Sequence, residues 1–264
     1  MFLVLPAWRF FTAQLALLLL VTPSLVMAAD TDKISALLDQ SGFTEQVKTW
    51  PDMVRAEIRL QGEITDDNLD LILRRADSDT LVTQLQASVH KHVSEALSAK
   101  EINAVSSWYH SALGKRITRE EMQAATQQGI QEMAQQADSL RQDSARVARM
   151  RQLDTLSGTT DNSLALHYYS AKAVAKAIPG NTPIDLADDT AIRDKVEKRV
   201  DLAFLYAYRN LDDATLERYQ AFLASEPAQR FHHAIHAGMT AAFVQEIDQW
   251  ADQLHDAMSA INTD

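Results

Sequence analysis

"WYHSALGKRI", residues 108–117, interrupts a stretch otherwise written for helix with a serine and a glycine. A hydroxyl that accepts an orphan amide, and a residue without Cβ, are what a sharp corner between two helices needs. The interruption has an echo at 222–231, "FLASEPAQRF". A shift of 114 residues aligns the two regions without a gap. Leu97 falls on Leu211, Ser98 on Asp212, Ile102 on Leu216, and Trp108-Tyr109 on Phe222-Leu223. Beyond the corner, Ser111 falls on Ser225, Gly114 on Ala228, Arg116 on Arg230 and Ile117 on Phe231. Upstream, "LLDQSGFT" and "RQLDTLSGTT" pair loosely once two residues are inserted. The expected fold is all-α: a duplicated helical repeat of roughly 110 residues, with up-down helices and paired helix–helix corners.

Each residue of the motif has a structural role to play. Ser98 and Asp212 are N-caps, and Ser98 with Glu101 spells a capping box. Trp108, Tyr109 and Phe222 plug the core just before each corner. Ser111 and Ser225 are placed to cap the helix that follows, and Pro227 fits a first turn but not an interior. Gly114 and Ala228 are small where two helices cross.

Working outward, "TDKISALLDQSG" reads as a helix stopped at Gly42. "FTEQVKTWPDMVRAEIRL" continues in helical spacing with a kink or break at Pro51, and "DDNLDLILRRA" is a short acidic-capped helix. Leu81, Leu85, Val89, Val93 and Leu97 form an apolar stripe from Ser78 onward. Residues 115–153 lack proline and read as one glutamine-rich helix on the order of 60 Å long. "DTLSGTTDN" is the most loop-like stretch. A helix through Leu164 and Val174 then runs to Pro179, and another carries Ile192 to Leu211. A short helix capped by Asp212 and a long final helix from Ser225 to about Ile261 complete the chain. No segment alternates with period two, so no strand is expected.

The 264 residues include 7 Gly, 6 Pro and no Cys. Disulfides, thiol chemistry and cysteine-ligated zinc are therefore excluded, and a packed core has to hold the fold. Residues 1–28 carry Arg9, no acidic residue, an apolar run, and Val26-Met27-Ala28 at their end. They read as a secretory signal peptide, cut after Ala28 or Ala29, with an uncleaved anchor as the rival. The units expected are the signal peptide at 1–28, a first repeat at 29–156 and a second at 157–264. Net charge is −11, and loss of the leader removes only Arg9 among charged residues. An acidic body without a basic patch argues against a nucleic-acid partner. No other stretch is long enough to span a bilayer once the signal is removed.

"LSAKEINAVSSWYHSALGKRI" resembles the signature of the bacterial family known as domain of unknown function 2059. That signature has an acidic capping segment, an aromatic pair, Ser-Pro, and Gly followed by a basic residue. Trp108-Tyr109, Ser111, Gly114 and Lys115-Arg116 match it, with Ala112 in place of the proline. The second copy keeps Phe222, Ser225, a displaced Pro227 and Arg230. The resemblance implies an all-helical exported protein and brings no activity.

Candidate chemistry is sparse. His232 and His236 stand at i and i+4, a spacing that chelates zinc or copper, but no H-E-x-x-H completes it and a pair of half-buried imidazoles is the simpler reading. His90 and His92 diverge on a helix. Ser88-Val89-His90-Lys91 spells S-x-x-K without its companion motifs, and Asp66, Asn68 and Asp70 imitate a calcium loop that has Leu71 at the glycine position. Arg116 and Arg230, matched by the repeat, are candidates to present two guanidiniums to an acidic ligand; the plainer reading is a salt bridge or carbonyl contact at each corner. No catalytic constellation and no cofactor motif is present. The expected function is an exported, periplasmic, non-catalytic module binding a protein or small-molecule partner in the envelope, through a surface between the halves. The alternatives are a metal-binding role for His232 and His236, or a structural envelope component contacting through 115–156.

Overall fold

The computed structural model describes residues 22–49, 78–177 and 190–261. The fold is all-α: every regular element among these residues is a helix. The chain forms α1 (Thr22–Gln40), α2 (Phe43–Gln46) with a 3-10 turn at Val47–Thr49, and α3 (Ser78–Ala96). Then come α4 (Ala99–His110), α5 (Ala112–Ala124), α6 (Gln127–Leu140), α7 (Ser144–Ser157) and α8 (Thr159–Ala177). The last three are α9 (Thr190–Ala207), α10 (Asp213–Leu223) and α11 (Glu226–Ile261). Residues 1–21, most of the expected signal peptide, lie outside the described residues. So do the expected break at Pro51, the "DDNLDLILRRA" helix, the calcium-loop imitation and the Pro179 stop. The expected cleavage point falls inside α1.

Two expectations need correction. The single long helix over 115–153 is three helices, α5, α6 and α7. Thr126 ends α5 and starts α6, its Oγ1 accepting from Gly129 N at 3.0 Å. Asp143 does the same for α7, its Oδ1 accepting from Arg146 N at 3.0 Å. Local side-chain caps outcompeted the uninterrupted helix that propensity allowed. Conversely, "DTLSGTTDN" is hardly a loop. Gly158, at φ +68°, is the one residue between α7 and α8. Its N–H bonds Asp154 O at 2.7 Å, and Asp154 Oδ1 accepts Thr160 N at 2.9 Å, so one aspartate serves both helix ends. Gly42, at φ +81°, closes α1 in the same left-handed conformation.

The corner at 108–117 is built as its residues require. Ser98 and Glu101 form the complete capping box of α4. Ser111 N bonds Trp108 O at 2.9 Å, and Ser111 Oγ accepts Gly114 N at 2.9 Å. A Cβ on Gly114 would lie 2.1 Å from Trp108 O, so the close approach admits only glycine. At the second corner Ser225 N bonds Phe222 O at 2.9 Å, the same turn bond. There the serine hydroxyl donates back to Phe222 O at 2.6 Å rather than capping α11. Asp212 caps α10 through Thr215 N at 2.8 Å.

Two large cores result. The first gathers Leu37 of α1, Val89 of α3, Val105 of α4 and Phe231 of α11. The second gathers Ile117 of α5, Leu153 of α7, Leu205 of α9 and Leu216 of α10. In both, the helix that follows a corner crosses over to complete the other core: α11 packs on α3, and α5 on α9. Trp108 and Phe222 touch both cores and stack on each other, with centroids 4.4 Å apart and planes 5° from parallel.

Candidate functional site

The two arginines singled out in the sequence are occupied by main chain. Arg116, on α5, donates Nη2 to Asn210 O at 2.8 Å, just before the cap of α10. Arg230, on α11, donates to Ala96 O, just before the cap of α4, and pairs with Glu101 Oε1 at 3.1 Å. Each therefore reaches the corner that precedes a helix far away in sequence, Arg116 the one before α10 and Arg230 the one before α4. The Ser98 contacts and then Arg230 hold the Glu101 carboxyl below the usual range.

His232 and His236 share one face of α11, with ring centroids 6.5 Å apart. Burial depresses both to about 4, so both imidazoles are neutral at pH 7. His236 lies against Gly158, where a Cβ would come within 3.3 Å of its ring, and His232 Nε2 is buried without a hydrogen-bond partner among the described residues. No third ligand joins them: among the described residues there is no group of three His, Cys, Asp or Glu able to hold a metal. Ser88 of the S-x-x-K sequence donates to Gly238 O at 2.8 Å and ties α3 to α11. His90 and His92 contact Thr31 O and Ser88 O.

A buried polar cluster that the sequence did not announce lies beneath the aromatic stack. Glu121 of α5 accepts from Tyr208 Oη at 2.6 Å and from Tyr219 Oη at 2.9 Å. Burial raises the Glu121 carboxyl, against the lowering effect of the two phenols. Burial and then Glu121 raise Tyr109 as well. The cluster clamps α5 to the second core.

An open cleft lies elsewhere. A cleft of about 390 Å³ between the α6–α7 turn and the α9–α10 turn is lined by Ser139, Leu140, Asp143, Ala145, Arg146, Arg149, Leu205, Arg209, Leu211 and Asp213. Arg146 donates Nη2 to Tyr208 O and Leu211 O, both at 2.7 Å, and Nη1 to Asp213 Oδ1 at 3.3 Å. Arg149 donates Nη1 to Asp213 O at 3.1 Å. Arg209 donates Nη1 to Tyr206 O at 2.6 Å, with its guanidinium 3.8 Å from the Tyr206 ring centre. Sequence reasoning passed over these three arginines. The available signal was "DSARVARMR", which sets Arg146 and Arg149 one turn apart behind a capping aspartate in an acidic chain.

The fold and sites thus define an all-α protein with interlocked helical cores and a cleft lined by arginines from two separate segments. Residues 92–143, from the end of α3 to the cap of α7, match the model of a family described as an uncharacterized protein conserved in bacteria (DUF2059). No curated protein and no solved structure matches the chain. Among the described residues, no helix is long and apolar enough to cross a membrane.

Proposed function

We propose that this chain is an exported, non-catalytic binding module of the bacterial envelope, built from two related helical units and taking its ligand in the arginine-lined cleft. The cleft is the observation that carries the reading, because its volume lies in the range used by small-ligand sites and charged and apolar side chains line it together. With units at 29–156 and 157–264, the α6–α7 side of the cleft belongs to the first and the α9–α10 side to the second. Export rests on the leader at 1–28. The duplication is supported by contacts that repeat at the 114-residue shift: Arg116 on Asn210 O matches Arg230 on Ala96 O, and Trp108 stacks on its own counterpart, Phe222.

The test is thermal unfolding against a panel of envelope metabolites, peptides and metals, since a ligand of the native state raises the midpoint. A shift that disappears in Arg149→Gln places the ligand in the cleft. A shift confined to zinc or copper and lost in His232→Ala/His236→Ala transfers the function to the histidine pair. No shift across the panel overturns the small-ligand reading.

A further inference from the structure

We infer that the cleft is a receptor for a monoanionic carboxylate attached to a short aliphatic group, the chemistry of an N-acylated leucine or of a peptide C-terminus ending in such a residue. The inference rests on the binding reading above and names its ligand class.

Three features carry it. First, two of the three arginines are anchored at one end only. Arg149 and Arg209 each spend Nη1 on a backbone carbonyl. The Nε–Nη2 edge of each makes no hydrogen bond within the described residues. A guanidinium pinned this way keeps the edge that binds a carboxylate through two parallel N–H donors, at little cost in side-chain freedom. Second, the charge count selects a monoanion. Three arginines are balanced by Asp143 and Asp213 in the lining and by Glu217, 3.7 Å from Arg149, so a ligand with more than one negative charge would leave the cleft strongly negative. Third, Leu140, Ala145, Leu205 and Leu211 put apolar groups in the lining beside the charge.

The arginines also exceed what the corner needs. At the 114-residue shift, Leu205, Arg209 and Asp213 correspond to Lys91, Glu95 and Ala99. The corner before α4 stands without an arginine cleft, latched by Arg230, and the corner before α10 has its own latch in Arg116.

The experiment is calorimetric titration of the full chain, as purified from the cell, with N-acetyl-leucine, N-acetyl-leucinamide, a heptapeptide ending in free leucine, its C-terminal amide, and inorganic phosphate. Both free carboxylates are expected to bind at least tenfold more tightly than their amides. Arg149→Gln and Arg209→Gln are each expected to lose that preference, with an unliganded melting temperature close to that of the parent. Arg149→Lys should recover little, because it restores the charge without the paired donors. A heptapeptide that binds more tightly than N-acetyl-leucine identifies a protein C-terminus as the source, and equal affinities identify a free acid. Amides that bind as well as acids, or an acid preference unchanged in Arg149→Gln, overturn the inference. Phosphate binding that depends on Arg149 overturns the carboxylate class and leaves the cleft reading standing. No binding by any probe overturns the inference, while the wider thermal panel separately decides the cleft.

Discussion

Lowering the pH from 7 to 5 should destabilise this protein through two histidines. His232 and His236 are held near 4 by burial, and secondarily by the charge of His236 on His232 and of His233 on His236. In the unfolded chain each has the ordinary value of 6.5. Below pH 6.5 the unfolded state takes up protons that the native state refuses, so stability present at pH 7 is lost as the pH falls toward 4. A depression from 6.5 to about 4 removes about 2 kcal/mol per imidazole between pH 7 and pH 5. His236 keeps some exposure, and solvent screening trims its share, so the pair together is worth about 3 kcal/mol. Glu121 works in the opposite sense. Its raised carboxyl favours the fold as the pH drops toward its native value, but it contributes equally to the parent and to histidine variants. The assay is urea unfolding followed by circular dichroism at pH 7 and pH 5. The parent should lose most of that energy, and His232→Leu/His236→Leu should lose little beyond the background set by other groups. Equal losses in the two proteins would refute the burial argument.

Other substitutions have clear expected outcomes. Gly114→Ala drives a Cβ into Trp108 O and should cost about 3 kcal/mol in chemical denaturation, because the obstacle is backbone that cannot turn aside. Ser111→Ala should cost about 1 kcal/mol by removing a cap, whereas Ser225→Ala should cost clearly less, because that hydroxyl bonds Phe222 O and caps nothing; equal losses would contradict the difference between the corners. Phe222→Ala opens the junction of both cores and should cost about 3 to 5 kcal/mol, and tryptophan emission should shift to longer wavelength as Trp108 loses its stacking partner.

The architecture was legible wherever local chemistry and long-range packing agreed. The capping box at Ser98, the aspartate cap at Asp212, the break at Ser111 and the long last helix all follow from rules that act within a few residues. The break at Thr126 was written in the same code: a hydroxyl residue with glycine three positions later, as at Ser111 and Gly114. It was missed because helical propensity, read over a long window, averages away a single cap. The site was less legible for a different reason. Arg116 and Arg230 stood out by their matched positions, but their partners, Asn210 O and Ala96 O, are carbonyls that no side-chain pattern marks. Arg209 and Arg149 lie on separate helices or turns, and only folding brings them to one cleft.

The exchange of helices between the cores also bears on when the protein can fold. The core around α1, α3 and α4 receives Phe231, Ala234, Ile235 and Ala242 from α11. During synthesis those residues leave the ribosome more than 120 residues after Tyr109, so the core around α1, α3 and α4 waits for α11 before its apolar surface is covered. Such long-range contacts make for slow closure. Under the proposed export the delay is an advantage: the polypeptide forms no early, self-sufficient amino-terminal core to jam the channel, and α11 closes that core on the far side.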